Sequence, residues 1–305
     1  WITSSANHSE PIMNTKTLQQ VCVVGLGYVG LPTAGILASC GFEVLGVDNS
    51  KRVREAVAAG SSPIVETDLD MLVQAGIQTQ RLRVAHAPAE ADIFLVCVPT
   101  PLAPDKTADV SIVYQAAEAL APFLRPGNLV IIESTVPPGT TESLAGHLRK
   151  LHPDALDEVS FAHAPERVLP GSVIREVVEN TRIVGGIDAK STETAKVFYE
   201  SFVRGEVLAT DARMAETVKL TENAYRDVNI AFANELSLIA DRLGLDALDV
   251  IRLANHHPRV NILKPGPGVG GHCIAVDPYF LIEAAPGESD LLRTARSVNQ
   301  KKTAW

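Results

Sequence analysis

The stretch Val21-Cys22-Val23-Val24-Gly25-Leu26-Gly27-Tyr28-Val29-Gly30-Leu31-Pro32 decides the fold. Four apolar residues read as a buried strand, the spacing G-x-G-x-x-G follows directly, and an apolar helical pattern over 31–39 comes next. Alone, that glycine spacing is a weak signal; between a strand and a helix it is a strong one. Gly25 permits a tight turn, Gly27 lets a pyrophosphate approach the backbone, and Gly30 lets helix and strand pack closely. Free N–H groups of the loop that carries Tyr28 and Val29 then face the phosphates at the helix start. The plain alternative is a turn that binds nothing. Residues 21–41 carry no charge and match a membrane span in length, but five glycines and one proline interrupt them. Strand, loop and helix explain the run better.

Working outward, similar short apolar runs stand at 43–47, 82–85, 93–98, 129–132, 160–163, 182–184 and 206–208. Helical patterns at 50–59, 110–124 and 141–151 lie between them. Continuous apolar strands separated by helices predict an α/β, Rossmann-type, doubly wound and mostly parallel sheet over 21–209. The pattern then changes. Residues 211–243 hold neither proline nor glycine and suit one long helix, with Asp211 as N-cap and Gly244 as the stop. A second helix at 247–255, a glycine-rich loop at 264–271 and a last helix at 290–302 complete a helical central domain, 210–305. Residues 1–20 read as a polar extension without the basic start and apolar core of a signal peptide, and Met13 is the expected natural start.

Composition narrows the class. The 305 residues are 46% hydrophobic and 21% charged, as in ordinary globular chains. A net charge of -9 lacks the basic footprint of a nucleic-acid binder, and no membrane partner is expected. Cys22, Cys40, Cys97 and Cys273 form no C-x-x-C pair, which argues against structural zinc or any other metal and against a disulfide scaffold. The expected compartment is the reducing cytoplasm. Cys22, Cys40 and Cys97 read as buried structural cysteines.

Asp48 ends the second strand, where a carboxylate accepts ribose hydroxyls and repels a 2′-phosphate, so the expected cofactor is NAD rather than NADP. Nearby Lys51 and Arg52 weaken that preference, and a helix-cap role for Asp48 is the alternative. Thr100, in Val98-Pro99-Thr100-Pro101, and Thr135, in Glu133-Ser134-Thr135, follow later strands. Each either reaches the nicotinamide half or caps a turn.

The densest chemistry lies in Pro265-Gly266-Pro267-Gly268-Val269-Gly270-Gly271-His272-Cys273-Ile274-Ala275-Val276-Asp277. A cysteine just after such a loop, at the start of a helix, has its thiolate favoured by free N–H groups. Asp277 lies one helical turn on. On the long helix Lys219 and Asn223 share a face, four residues apart, as a pair able to polarise an alcohol or carbonyl oxygen. A structural cysteine and a solvated lysine are the alternatives.

In order along the chain, GLGYVGLP (25–32), VPTP (98–101), ESTVPPGT (133–140), APERVLPG (164–171), KLTENAYRDVNIAFANEL (219–236) and GVGGHCIAVDP (268–278) resemble the UDP-glucose/GDP-mannose dehydrogenase family. ERVLPG and RLANHHPRVNILKPGPGVGGHC (252–273) are similar to the members acting on N-acetylated sugars, UDP-N-acetyl-D-mannosamine first among them. The resemblance implies NAD-dependent, four-electron oxidation of a UDP-sugar C6 alcohol, with Cys273 as nucleophile. It implies that Lys219 steadies the oxyanion, that Asn223 orients it, and that Asp277 binds the proton-accepting water. Glu166 and Thr135 then place the hydrolytic water. Arg167, Val168, Gly270 and Arg259 become substrate contacts, Arg259 across the interface of a homodimer built on the helical domain. UDP-N-acetylglucosamine and UDP-glucose remain alternative substrates. The rivals are a two-electron hydroxyacid dehydrogenase, which needs no nucleophile, a non-catalytic NAD-binding protein, and a cysteine hydrolase using His272. Family members carry a further C-terminal α/β domain over the UDP moiety; the stop at Trp305 implies a fragment.

Overall fold

The computed structural model describes residues 20–152, 156–169, 171–271 and 273–304. Most of the polar extension with Met13, Pro170 of the APERVLPG motif, and His272 lie outside the described residues. The first region runs β1 (Gln20–Val24), α1 (Gly30–Ser39), β2 (Glu43–Val47), α2 (Lys51–Ala58), α3 (Leu69–Gln78), β3 (Leu82–Ala85), β4 (Ile93–Val96) and α4 (Ser111–Leu120). It continues with β5 (Leu129–Ile132), α5 (Thr140–Leu151), β6 (Ser160–His163), α6 (Val173–Glu179), β7 (Arg182–Gly186), α7 (Ala189–Glu200) and β8 (Val207–Asp211). The second region holds α8 (Ala212–Arg242), α9 (Ala247–Ala254), α10 (Asp277–Ala284) and α11 (Asp290–Lys302).

The eight strands form one sheet in the order β3-β2-β1-β4-β5-β6-β7-β8. All neighbours are parallel except β6 and β7. Strand order reverses beside β1, so a crevice opens beyond the carboxyl ends of β1 and β4, where such sheets bind ligands. Alternation along the strands builds two cores. Val21, Val23, Ile93 and Leu95 pack on one face, while Cys22, Val24, Phe94 and Val96 pack on the other.

Local chemistry sets the boundaries. The strand expected at 93–98 ends at Val96, although the Cys97 N–H still reaches Val24 O at 2.8 Å. Pro99 has no N–H to extend it. The helix expected through 124 stops at Leu120, and a short 3-10 turn containing Pro122 follows. α3, α6, α7 and α10 are helices that apolar periodicity does not single out; α6 has only seven residues. Cys22 and Cys97 are buried, but Cys40 is exposed. It is the C-cap of α1 at a surface turn, not a core residue.

α8 follows its sequence signals closely. Asp211 Oδ1 accepts the Met214 N–H at 2.8 Å, and Gly244 turns the chain away with a φ of 68°. α11 is fastened along α8 by buried polar contacts. Arg296 Nη1 meets Asp227 Oδ1 at 2.6 Å, and Asn299 Nδ2 donates to the same oxygen at 2.8 Å. Asn234 Nδ2 donates to Asn299 Oδ1 at 2.8 Å, while Asn234 Oδ1 accepts the Gly266 N–H at 2.8 Å. With Asn229 Oδ1 accepting the Leu263 N–H at 3.1 Å, these amides hold the cysteine loop against α8.

Candidate active site

The glycine loop is shaped by what a side chain would strike. Gly25 has a φ of 94°, and a Cβ there would lie 2.6 Å from the Cys97 carbonyl oxygen. At Gly30 a Cβ would lie 1.9 Å from Gly25 O. Above Gly27, by contrast, a Cβ would meet nothing within 4 Å, so the loop's outer face is open. Val29 leads into α1, and Tyr28 is exposed with its hydroxyl on Glu66 Oε2 at 3.0 Å. Asp48 Oδ2 accepts the Leu26 N–H at 2.9 Å and Oδ1 accepts the Ser50 N–H at 2.8 Å. The cap of α2 is Ser50, which accepts the Val53 N–H, so Asp48 is free of that duty. Each Asp48 oxygen keeps a lone pair for a ribose hydroxyl. Lys51 is an exposed partner of Glu55. Thr100 and Thr135 are half-buried at strand ends. Ser134, not Thr135, bonds the Val98 carbonyl, at 2.7 Å. An open loop over a helix start, with an acceptor at the end of β2, fits NAD.

A second group of residues gathers where α8 meets α10. Asn223 Nδ2 donates to Asp277 Oδ2 at 2.6 Å, and both residues are buried. Burial pushes Asp277 up to about 6, against the opposing pull of the Asn223 donor and then the Lys219 ammonium. Partial desolvation of the sulfur, and next the Asp277 charge, raise the Cys273 thiol, while Lys219 and Arg226 pull it down. Lys219, Asn223, Asp277 and Cys273 thus share one electrostatic neighbourhood. The expected helix-start thiolate is corrected: α10 begins at Asp277, because Pro278 favours a first turn, and Cys273 precedes it in a turn. Its carbonyl accepts the Asp277 N–H at 2.9 Å. The resting sulfur is a thiol rather than a helix-stabilised thiolate.

Glu166 is buried beyond β6, with both oxygens engaged. Oε1 accepts the Arg167 N–H at 2.6 Å and Oε2 faces Arg182 Nη1 at 3.0 Å. The Arg167 guanidinium grips Glu222 of α8 at 2.6 Å and donates to Thr181 O at 3.0 Å. Val168 packs against the core, and Gly270 is exposed with open space at its α-carbon. Arg259 is exposed, its N–H on His257 Nδ1 at 3.3 Å, and no contact among the described residues joins it to the Cys273 group.

Three features escape a reading of the sequence. Arg226 lies three residues beyond Asn223 and seven beyond Lys219 on α8, one and two turns along the same face, a spacing that could have flagged it. Glu66 accepts the Gly171 N–H at 2.9 Å and the Val173 N–H at 3.1 Å as well as Tyr28, so it ties the glycine loop to the segment after Glu166. Arg182 pairs with Glu133 at 2.5 Å and with Glu166, both pairs buried. No local motif signals either link.

Known proteins match both regions of the chain. Residues 19–203 match the NAD binding domain of the UDP-glucose/GDP-mannose dehydrogenase family, and residues 213–301 match its central domain. An NDP-N-acetyl-D-galactosaminuronic acid dehydrogenase of Ralstonia nicotianae is 53% identical over 92% of this chain and 69% of its own length. A UDP-N-acetyl-D-mannosamine dehydrogenase of Methanocaldococcus jannaschii is 52% identical over 92% of this chain and 65% of its own. The solved structure of the UDP-D-ManNAc dehydrogenase from Pyrococcus horikoshii superposes with a TM-score of 0.90 at 42% identity, over 93% of this chain and 69% of that one. The chain therefore belongs to the UDP-glucose/GDP-mannose dehydrogenase family.

Proposed function

We propose that the protein oxidises the C6 alcohol of UDP-N-acetyl-D-mannosamine to the carboxylate, in two NAD-dependent steps at one site. The observation that carries this reading is the junction of α8 and α10. It puts a nucleophilic thiol, an ammonium and an amide-held carboxylate within electrostatic reach of one another. A two-electron alcohol dehydrogenase has no use for the thiol. NAD, held by the glycine loop and Asp48, supplies the hydride acceptor for each oxidation. Thr100 and Thr135, half-buried near the strand ends, would contact its nicotinamide half.

The residues divide the remaining work. Asp277, pushed up to about 6, is ionised yet basic at neutral pH and accepts the hydroxyl proton through a water. Lys219 steadies the developing oxyanion, and Asn223 fixes the carboxylate and orients the oxygen. Cys273 attacks the aldehyde carbon as its proton passes to the carbonyl oxygen, so the reactive intermediate stays bound; the second oxidation converts the thiohemiacetal into a thioester. Glu166 and Thr135 place the water that releases the acid. Arg167, Val168 and Gly270 line the sugar side, Arg167 as a strut on α8.

A homodimer fits the outer face of the helical domain. Tyr225, Phe232 and Ile239 recur at seven-residue spacing on α8 and are each at least half exposed, as are Leu248 and Leu253 of α9. Arg259, whose side chain is exposed and joins no ion pair among the described residues, would then reach a UDP-sugar in the neighbouring subunit. We assign the enzyme to the cytoplasm, where four free cysteines stay reduced. Among the described residues no helix is long and apolar enough to cross a membrane. The working division is 21–209 for the cofactor and 210–305 for the dimer and the cysteine loop.

The second substrate reading, an N-acetylgalactosamine nucleotide, is favoured by the name of the 53% identical Ralstonia relative. NADH release from a panel of UDP-sugars tests the choice. UDP-N-acetyl-D-mannosamine should give the highest kcat/KM; a higher value with the galacto, gluco or non-acetylated sugar would replace it.

A further inference from the structure

We infer that Arg182 is a positioning residue for the hydrolytic half of the reaction, acting through Glu166. Its guanidinium bridges two carboxylates that come from different strand ends. Nη2 meets Glu133 Oε1 at 2.5 Å, just beyond β5, and Nη1 meets Glu166 Oε2 at 3.0 Å, three residues beyond β6. The guanidinium also lies over the Tyr199 ring, 4.7 Å from its centroid. Glu133 is fixed in turn. Tyr199 Oη donates to its Oε1 at 2.6 Å, and Cys97 Sγ donates to its Oε2 at 3.3 Å.

Two carboxylates and one guanidinium largely withdrawn from solvent are a poor way to gain stability. A well-packed apolar cluster of the same volume commonly serves as well or better, so the ions are better explained by the geometry they impose. That geometry converges on Glu166. Arg182 takes one carboxylate oxygen and the Arg167 N–H takes the other at 2.6 Å, leaving no free rotation. Each oxygen retains a lone pair for a water. A carboxylate locked in this way is aimed rather than merely present, and small misplacement of such a group is costly in rate. Arginine is required because only a planar fork spans both carboxylates at once.

This inference rests on the proposed role of Glu166 at the thioester. In that step the oxygen of water bonds to the acyl carbon, the carbon–sulfur bond breaks, and Cys273 leaves as thiolate. The proton released by the water passes to Glu166, and no electrons are transferred.

Rapid mixing of enzyme with NAD and the UDP-sugar that the panel selects separates oxidation from hydrolysis. Glu166→Gln should release two NADH per active site in a burst and then turn over slowly. Arg182→Lys should keep the full burst and lower the steady-state rate tenfold or more, with NAD affinity unchanged. Glu133→Gln, which frees the far end of the guanidinium, should keep the burst with a smaller fall. A merely structural Arg182 would lower burst and steady state together by removing active sites, and that result overturns the inference, as does a wild-type rate in Arg182→Lys. Loss of the burst in Glu166→Gln would instead remove the assigned role of Glu166 itself.

Discussion

Asn223 donates to Asp277 at 2.6 Å across 54 positions of sequence, joining the long helix to the turn that carries the nucleophile. Without that bond Asp277 would face a buried setting with only the Lys219 charge to offset it. Asn223→Ala should therefore raise the Asp277 pKa further and move the acid limb of the kcat profile to higher pH. Asp277→Asn should lower kcat by about 100-fold or more, as loss of a general base does. A pH–rate profile with unchanged limbs in Asn223→Ala would detach the pair from catalysis.

The same carboxylate makes stability depend on pH. Unfolded chains release the Asp277 proton near the ordinary carboxylate range, whereas the folded protein holds it to about 6. Its contribution is therefore full in acid, falls as pH rises through that interval, and stays lost above it. Asp277→Asn, though far less active, should consequently be the more stable protein at pH 7.5, by up to ~3 kcal/mol for a two-unit shift. Urea unfolding of Asp277→Asn beside the wild type at pH 4 and pH 7.5 checks this, since the difference cancels every other titrating group; a stability difference that is the same at both pH values would argue against the buried charge.

Cys273 reactivity should follow the charges around it. Asp277 raises the thiol and Lys219 lowers it. Asp277→Asn should speed carboxamidomethylation of Cys273 severalfold at neutral pH, and Lys219→Met should slow it. Mass spectrometry of the peptide containing Cys273 distinguishes it from Cys40, the other exposed thiol.

Asp48→Ala should weaken NAD about tenfold or more, because hydrogen bonds to a charged acceptor are lost. Discrimination against NADP should relax in the same variant, since the repelling charge is gone. Calorimetric titration with both cofactors measures the two effects; an unchanged NAD to NADP ratio would confine Asp48 to holding the Leu26 and Ser50 N–H groups.

His163 predicts acid sensitivity of the opposite sign to Asp277. Burial first, and then the Arg182 charge, push its imidazole down to about 3. Unfolded chains take up that proton from about pH 6.5, so the folded state loses stability progressively as pH falls below this value. His163→Leu should flatten the decline in Tm between pH 6.5 and pH 4.

How much of this was legible depended on whether the signal was local. The glycine loop announces itself because strand, turn and helix are adjacent in sequence. α8 does so because Asp211 and Gly244 are cap and stop beside the residues they terminate. Lys219 and Asn223 were legible as a pair by helical spacing. The Arg182 bridge was not, since it exists only once β5, β6 and β7 lie side by side, with β7 reversed against β6. The state of Cys273 was misread for a physical reason as well. The loop glycines suggest a helix start at the cysteine, but Pro278 sets the start at Asp277, and partial desolvation with the charge of that carboxylate then governs the thiol.

The central claim is that one site performs two oxidations through Cys273, and stoichiometry tests it most directly. NADH formed and UDP-N-acetyl-D-mannosamine consumed should stand at two to one, with a C6 carboxylate as product. A ratio of one to one, with an aldehyde or ketone accumulating, would contradict the account and leave Cys273 without a catalytic part.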